Sequence, residues 1–261
     1  MTRALKDEHQ VTGAAGLLLA MDTATRCATV AIGDARGEPV AERTWQAGHG
    51  HAASLLPAIE AMLREAGAEM RELDGIVVGI GPGAFTGLRV GLATAKVLAY
   101  ALGRPIVGVG TAEALAWAVV RGDVRAGAAE APRDGEPVEL AILLPAGVSD
   151  HYLSRVRIGP EDELSADMPP QLLSAGDSAL ELAGDTQLVA VDLSGRGHPA
   201  EAVALGARAQ SGLGRACLRI GARALAVGRT DDVAELVPAY VALPRGVQRA
   251  AEAMAWSPDL R

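Results

Sequence analysis

The sequence predicts an α/β protein built as two lobes. Three observations carry that expectation. Three short apolar runs joined by tight turns precede any helical period, strands and helices then alternate, and 122–137 is a stretch of Gly, Ala, Pro and charge without periodicity. The first run, 17–21, is nearly continuous in apolar residues, as in a strand buried on both faces. A polar turn at 23–26 leads to a second strand at 27–32, and Gly33, Asp34 and Gly37 mark a turn before a third at 39–46. Three strands so closely linked predict an antiparallel meander.

From 51 to 66 the period changes: Ala52, Leu55, Leu56, Ile59, Met62, Leu63 and Ala66 share one helical stripe. Ser54 is the expected N-cap, with Pro57 in the first turn, where a missing N–H is harmless. A strand at 75–80, the loop GPGAFTG, a helix at 88–102 ended by Gly103, a strand at 105–109 and a helix at 112–120 follow. Beyond the break, strands are expected at 138–144, 152–158 and 187–192, helices at 200–210 and 215–228, and a returning strand at 237–243. The expected organisation is a flexible extension at 1–15, a first lobe at 16–121 with a mixed five-stranded sheet, a linker at 122–137, a smaller second lobe at 138–244 and a tail at 245–261.

Composition bounds the function. The 261 residues hold 24 Lys plus Arg against 32 Asp plus Glu, a formal net charge of −8, and 49% are hydrophobic. Disorder is excluded. Phosphate-driven nucleic-acid binding needs a basic face, and base stacking needs aromatics, which make up 3%. Cys27 and Cys217 form no C-x-x-C pair, which fits a reducing compartment. The charged first fifteen residues lack the apolar core of a signal peptide, and the run at 17–21 is too short to span a bilayer. A soluble, cytoplasmic protein is expected, with no membrane partner.

The segment from Gly79 to Ala84 satisfies G-x-G-x-x-[GA] between a strand and a helix, a pattern that can hold pyrophosphate on a helix N-terminus. A dinucleotide site also needs an acid roughly 20 residues on. None occurs between Asp74 and Glu113, and no G-K-[ST] makes a Walker loop. The glycines are better read as a tight strand-to-helix turn. Phe85, the single Phe, is expected to plug the core there, with Thr86 as N-cap and Arg89 in a local salt bridge or facing an anion or a partner's carboxylate.

The following helix repeats small residues at Gly87, Gly91, Ala95 and Ala99, a ridge that lets another backbone approach closely. A subunit interface is expected there, against the alternative of a wholly internal helix. Asp22-Thr23-Ala24-Thr25 resembles the first phosphate loop of actin-like ATPases and sugar kinases, without its glycine, and leaves Asp22, Thr23 and Thr25 as weak nucleotide-site candidates. His49 and His51 are wrongly spaced to share a helix face, and no G-x-S-x-G elbow occurs. No catalytic residue and no metal ligand is assigned.

LLLAMDTATRCATVAIGD, HGHAASLLPAIEAML and LDGIVVGIGPGAFTGLRVGLATAKVLAYALGRPIVGVGTAEALA together resemble the TsaB (YeaZ) family across 17–118. RALAVGRTDDVAELVPAYVALP resembles its C-terminal helix and P-x-Y segment, at Pro238 and Tyr240. The resemblance implies the actin-like (ASKHA) two-lobe fold. It also implies a non-catalytic subunit of bacterial tRNA threonylcarbamoyladenosine synthesis. In that role the chain would bind a TsaD-type transferase through 51–66 and 88–102, using Leu56, Ile59, Met62, Leu63, Gly87, Arg89, Val90, Gly91, Thr94, Ala95 and Leu98. It implies a homodimer through the same surface when alone, a TsaE-type ATPase in the complex, and tRNA engaged indirectly. ATP and Mg would be used by the complex, with no cofactor required by the chain itself.

In the TsaD branch an H-x-x-x-H binds metal after the corresponding strand. The matching positions here are Thr111 and Leu115, with Glu113 between them. The second lobe departs from the family: Pro145 and Gly147 replace the charged residues of its D-A-R run, and 185–198 lacks the G-D-G turn. The alternative function is a small actin-like ATPase or kinase using the Asp22–Thr25 turn, and direct tRNA binding is a third.

Overall fold

The computed structural model describes residues 16–47, 51–122, 136–160, 163–166, 168–174, 182 and 184–241. The extension at 1–15, His49, most of the linker and the tail at 245–261 lie outside them. The first sheet runs in the order β3-β2-β1-β4-β5, from β1 (Leu17–Asp22), β2 (Cys27–Gly33), β3 (Pro39–Gln46), β4 (Leu73–Gly79) and β5 (Ile106–Val109). β1 and β2, and β2 and β3, pair antiparallel, whereas β1–β4 and β4–β5 are parallel. The meander and the mixed five-stranded sheet are as the sequence predicts.

Strand alternation distributes the core. Leu19, Met21, Val30, Ile32, Ile76 and Val78 face α1 (His51–Glu65) and α2 (Phe85–Leu102). Leu18, Ala20, Ala31, Val77 and Val107 face the other way, toward α3 (Thr111–Arg121) and α5 (Leu213–Ala226). The second sheet runs β10-β6-β7-β8, from β6 (Val138–Pro145), β7 (His151–Ile158), β8 (Leu164–Ser165) and β10 (Gln187–Ala190), with β9 (Gln171–Leu173) also on β7. The very short β8 and β9 are absent from the sequence reading, because two or three residues carry no periodicity.

The helices do not respect the lobe boundaries read from the chain. α5 comes from the second half but packs on all five strands of the first sheet. α3 comes from the first half but packs on β6 and β7, on α5 and on α4 (Ala200–Ser211). One hydrophobic cluster therefore runs through both sheets.

Helix starts differ in detail. α1 begins at His51, so Ser54 lies inside the helix, where its Oγ accepts the Trp45 indole N–H at 3.2 Å, and Pro57 is an interior residue. α2 begins at Phe85 with Ala84 as N-cap, so Thr86 is the second helical residue rather than the cap. Gly103 closes α2 in the left-handed conformation at φ 61°. The described end of the chain, 237–241, forms no strand; it hangs on the Ile80 carbonyl through the Ala239 N–H at 2.8 Å. By length and composition α2 is apolar enough to cross a membrane, but its small-residue side is packed inside this fold.

Candidate functional site

The β1–β2 turn holds the nucleotide-site candidates, and the structure turns them inward. Asp22, Thr23 and Thr25 are 0%, 1% and 2% exposed. Asp22 Oδ1 accepts the Ala24 N–H at 2.7 Å, and Oδ2 accepts the Thr111 hydroxyl at 2.7 Å. Thr111 Oγ1 in turn accepts the Gly81 N–H at 3.0 Å. This chain of bonds ties the end of β1 to the glycine loop and to the start of α3. Burial pushes the Asp22 carboxyl up to about 6, with the bonds from Ala24 and Thr111 pulling back.

Thr23 donates its hydroxyl to the Gly87 carbonyl at 2.7 Å, and Thr25 donates to the Cys27 carbonyl at 3.0 Å. A phosphate or a magnesium ion needs ligand atoms presented to open space. Here each side-chain oxygen is already engaged, and even a methyl at Gly79 would collide with the Asp22 carboxylate. The donor set does not fit a bound Mg-nucleotide. The turn is a tether between secondary-structure elements.

The same contacts correct the reading of the small-residue ridge. A Cβ at Gly87 would strike the Thr23 carbonyl, and one at Gly91 would strike the Thr23 hydroxyl. The backbone that approaches α2 closely is the chain's own β1–β2 turn. Ala95 and Ala99 lie in the core between α2 and the sheet. Ile59, Met62 and Leu63 are buried in that core too. Six of the eleven predicted interface residues, Ile59, Met62, Leu63, Gly87, Gly91 and Ala95, are thus spent inside the chain. Leu56 and Arg89 are exposed, and Val90, Thr94 and Leu98 are half-buried.

What α1 and α2 do present is a different stripe. Thr86, Arg89, Ala93, Val97 and Tyr100 recur at helical spacing on the outer side of α2, with Val97 64% and Tyr100 83% exposed. Ala52 of α1 joins Phe85, Val90 and Ala93 around a groove of about 420 Å³. Beside this groove α2 also anchors the end of the chain. The Arg89 guanidinium lies 3.8 Å from the Phe85 ring centroid, and its Nε donates to the Tyr240 hydroxyl at 3.2 Å. Phe85 and Tyr240 rings stand 5.4 Å apart, and Lys96 Nζ donates to the Ala234 and Leu236 carbonyls at 2.9 and 3.1 Å. Phe85 is therefore half-exposed beside the groove instead of plugging the core, and Arg89 meets a ring and a phenol instead of a carboxylate. The P-x-Y segment and Arg89 are separate features of the sequence; nothing in it joins them or points to Lys96.

Known proteins resemble this chain in sequence and in fold. The family model for tRNA N6-adenosine threonylcarbamoyltransferase, TsaD, matches residues 45–168. An uncharacterized protein of Mycobacterium leprae is 44% identical over 93 residues, 34% of this chain and 26% of that protein. The tRNA threonylcarbamoyladenosine biosynthesis protein TsaB of Haemophilus influenzae is 37% identical over 95 residues, 34% of this chain and 37% of that protein. The matched stretches thus span well under half of these curated relatives. The solved structure of YeaZ from Pseudomonas aeruginosa superimposes with a TM-score of 0.64 at 25% identity, covering 86% of this chain and 99% of that one. In sequence and in fold the chain resembles the TsaB (YeaZ) proteins. It shares the α/β fold of YeaZ along nearly the whole of that structure. In this chain, the positions that match the H-x-x-x-H of the TsaD branch are Thr111, bonded to Asp22, and Leu115, fully buried in the core. Among the described residues no three His, Cys, Asp or Glu side chains converge.

Proposed function

We propose that this chain is a non-catalytic subunit of the machinery that makes threonylcarbamoyladenosine in tRNA, and that it docks a TsaD-type transferase on the outer face of α1 and α2. The likeness to TsaB and YeaZ supports the pathway. The observation that carries the docking reading is the exposed stripe of Ala93, Val97 and Tyr100 beside the groove at Ala52 and Val90, with Leu56 42% exposed on α1. An aromatic and an aliphatic residue left this open on a helix pair are what a partner helix would cover. The same face would join two copies of the chain when no transferase is present, and a TsaE-type ATPase and the tRNA would assemble on the complex.

Thr111 and Leu115 support the non-catalytic part of the reading. Neither can take the place of an imidazole on a metal, and Thr111 is committed to holding Asp22 and Gly81 in register. The net charge of −8 fits tRNA contacts made mainly by the other subunits, in a cytoplasmic setting. The test is co-elution of the purified chain with its cognate TsaD-type transferase, together with the gain in tRNA modification on mixing. Tyr100→Glu should abolish co-elution while leaving the urea midpoint unchanged, because Tyr100 touches little of its own fold. Full co-elution of Tyr100→Glu would remove this face from the interface, and no co-elution of the parent chain would end the reading.

A further inference from the structure

A second cavity, of about 370 Å³, opens between β5 at the edge of the first sheet and β7 of the second. Its volume is in the range of small-molecule sites, and Val107, Val109, Val156 and Ile220 give it apolar walls. Into this apolar lining falls one hydroxyl. Ser154 is 5% exposed, and its Oγ is buried with no hydrogen-bond partner. Along β7, Leu153 packs in the cluster on the far face of the sheet, so Ser154 and Val156 share the face that lines the cavity. An unpaired buried hydroxyl is costly to the fold, and beside open volume it is a group left for something else to bond.

The mouth carries charge. Asp231 Oδ2 accepts the Gly108 N–H at 2.7 Å, and its own N–H donates to the Ile106 carbonyl at 2.9 Å. These bonds pin the segment 229–231 along the free edge of β5, which sets Arg229 at the cavity with Asp231. Glu113, on the first turn of α3, folds its carboxyl back over Gly110. Burial pushes that carboxyl up, while Arg229 and the Gly110 backbone pull it back. Two carboxylates against one guanidinium leave the ionised site with an excess of one negative charge, so it favours a cation over an anion.

We propose that this cavity binds a small amphipathic amine that carries a second hydrogen-bonding group at its apolar end. The apolar body lies against Val107, Val156 and Ile220, the ammonium meets Glu113 and Asp231 at the mouth, and the far group bonds Ser154 Oγ. The site uses neither the β1–β2 turn nor the outer face of α1 and α2, so it stands or falls independently of the docking reading.

The test uses three probes on the full chain: tyramine, phenethylamine, which lacks the hydroxyl, and hydroxyphenylpropionate, which reverses the charge. Met168, 45% exposed at the rim, provides a methyl signal for NMR, assigned among the six methionines with Met168→Leu. Tyramine should shift that signal with saturable, millimolar or tighter affinity, phenethylamine should bind several-fold more weakly, and the carboxylate should not bind. Ser154→Ala should erase the preference for tyramine over phenethylamine while leaving the urea midpoint equal or higher, since the hydroxyl has no partner to lose. Glu113→Gln should weaken both amines several-fold. No tyramine shift, equal binding of the carboxylate, or an undiminished tyramine preference in Ser154→Ala would each overturn the proposal.

Discussion

Asp22→Asn isolates the cost of keeping a carboxylate in the interior. The native carboxyl titrates at about 6 against an ordinary 3.8, and that gap corresponds to about 3 kcal/mol between its two protonation states. The sign follows from which state holds the proton more tightly. The folded chain does, so stability falls as pH rises from the ordinary carboxyl range through about 6 and the loss is complete above it. Between about pH 5 and about pH 7.5 the linked loss is about 1.4 kcal/mol.

Asparagine matches the protonated carboxyl in size and can accept from the Ala24 N–H and donate to Thr111 Oγ1, so it escapes that loss. Urea denaturation of both proteins at the two pH values measures the difference. The midpoint of Asp22→Asn should lie above that of the parent at the higher pH, and the advantage should shrink by about 1.4 kcal/mol at the lower. Other groups displaced by burial, Glu113 and His151 among them, are common to both proteins and cancel. An advantage that is constant with pH, or that grows toward acid, would refute the claim that Asp22 carries a buried charge.

Three further outcomes are expected. Gly91→Ala should lower stability by about 1–3 kcal/mol in urea, because its methyl must displace the Thr23 hydroxyl from the bond it makes to Gly87; an unchanged midpoint would mean α2 can slide away from the turn. Lys96→Met should speed amide exchange in 234–240 well above that of the α2 core, since two carbonyls there lose a charged donor. Ala93→Glu should weaken association with the transferase at least tenfold by co-elution or titration while circular dichroism stays the same, because Ala93 is exposed beside the groove.

Local pattern made much of this fold legible. The alternation that sends Leu18 and Ala20 one way and Leu19 and Met21 the other was readable as a strand buried on both sides, and α3, expected at 112–120, lies at Thr111–Arg121. Long-range partners were not legible. Asp22 reads as a phosphate-loop residue until Thr111, 89 positions away, is seen to satisfy it. A small residue every fourth position says that some backbone comes close to α2; only the structure shows that it belongs to Thr23. The proposed interface lies on the neighbouring stripe, where Val97 and Tyr100 look in sequence like ordinary core residues of an apolar helix. Ser154 carried no signal, because a serine within a strand is unremarkable until its empty surroundings are known.

The placement of α5 also dictates an order of events during synthesis. While the ribosome is still making the chain as far as α3, the face of the first sheet bearing Leu18, Ala20, Ala31 and Val77 lacks its main cover. That cover, with Gly221 set against Val77 and Leu218 against the β2–β3 turn, is translated only after the entire second sheet. The N-terminal half is therefore not a unit that matures on its own. A nascent chain halted before 213 would present a wide apolar face to chaperones, and gene fragments ending near Arg121 would yield aggregates rather than an isolated lobe.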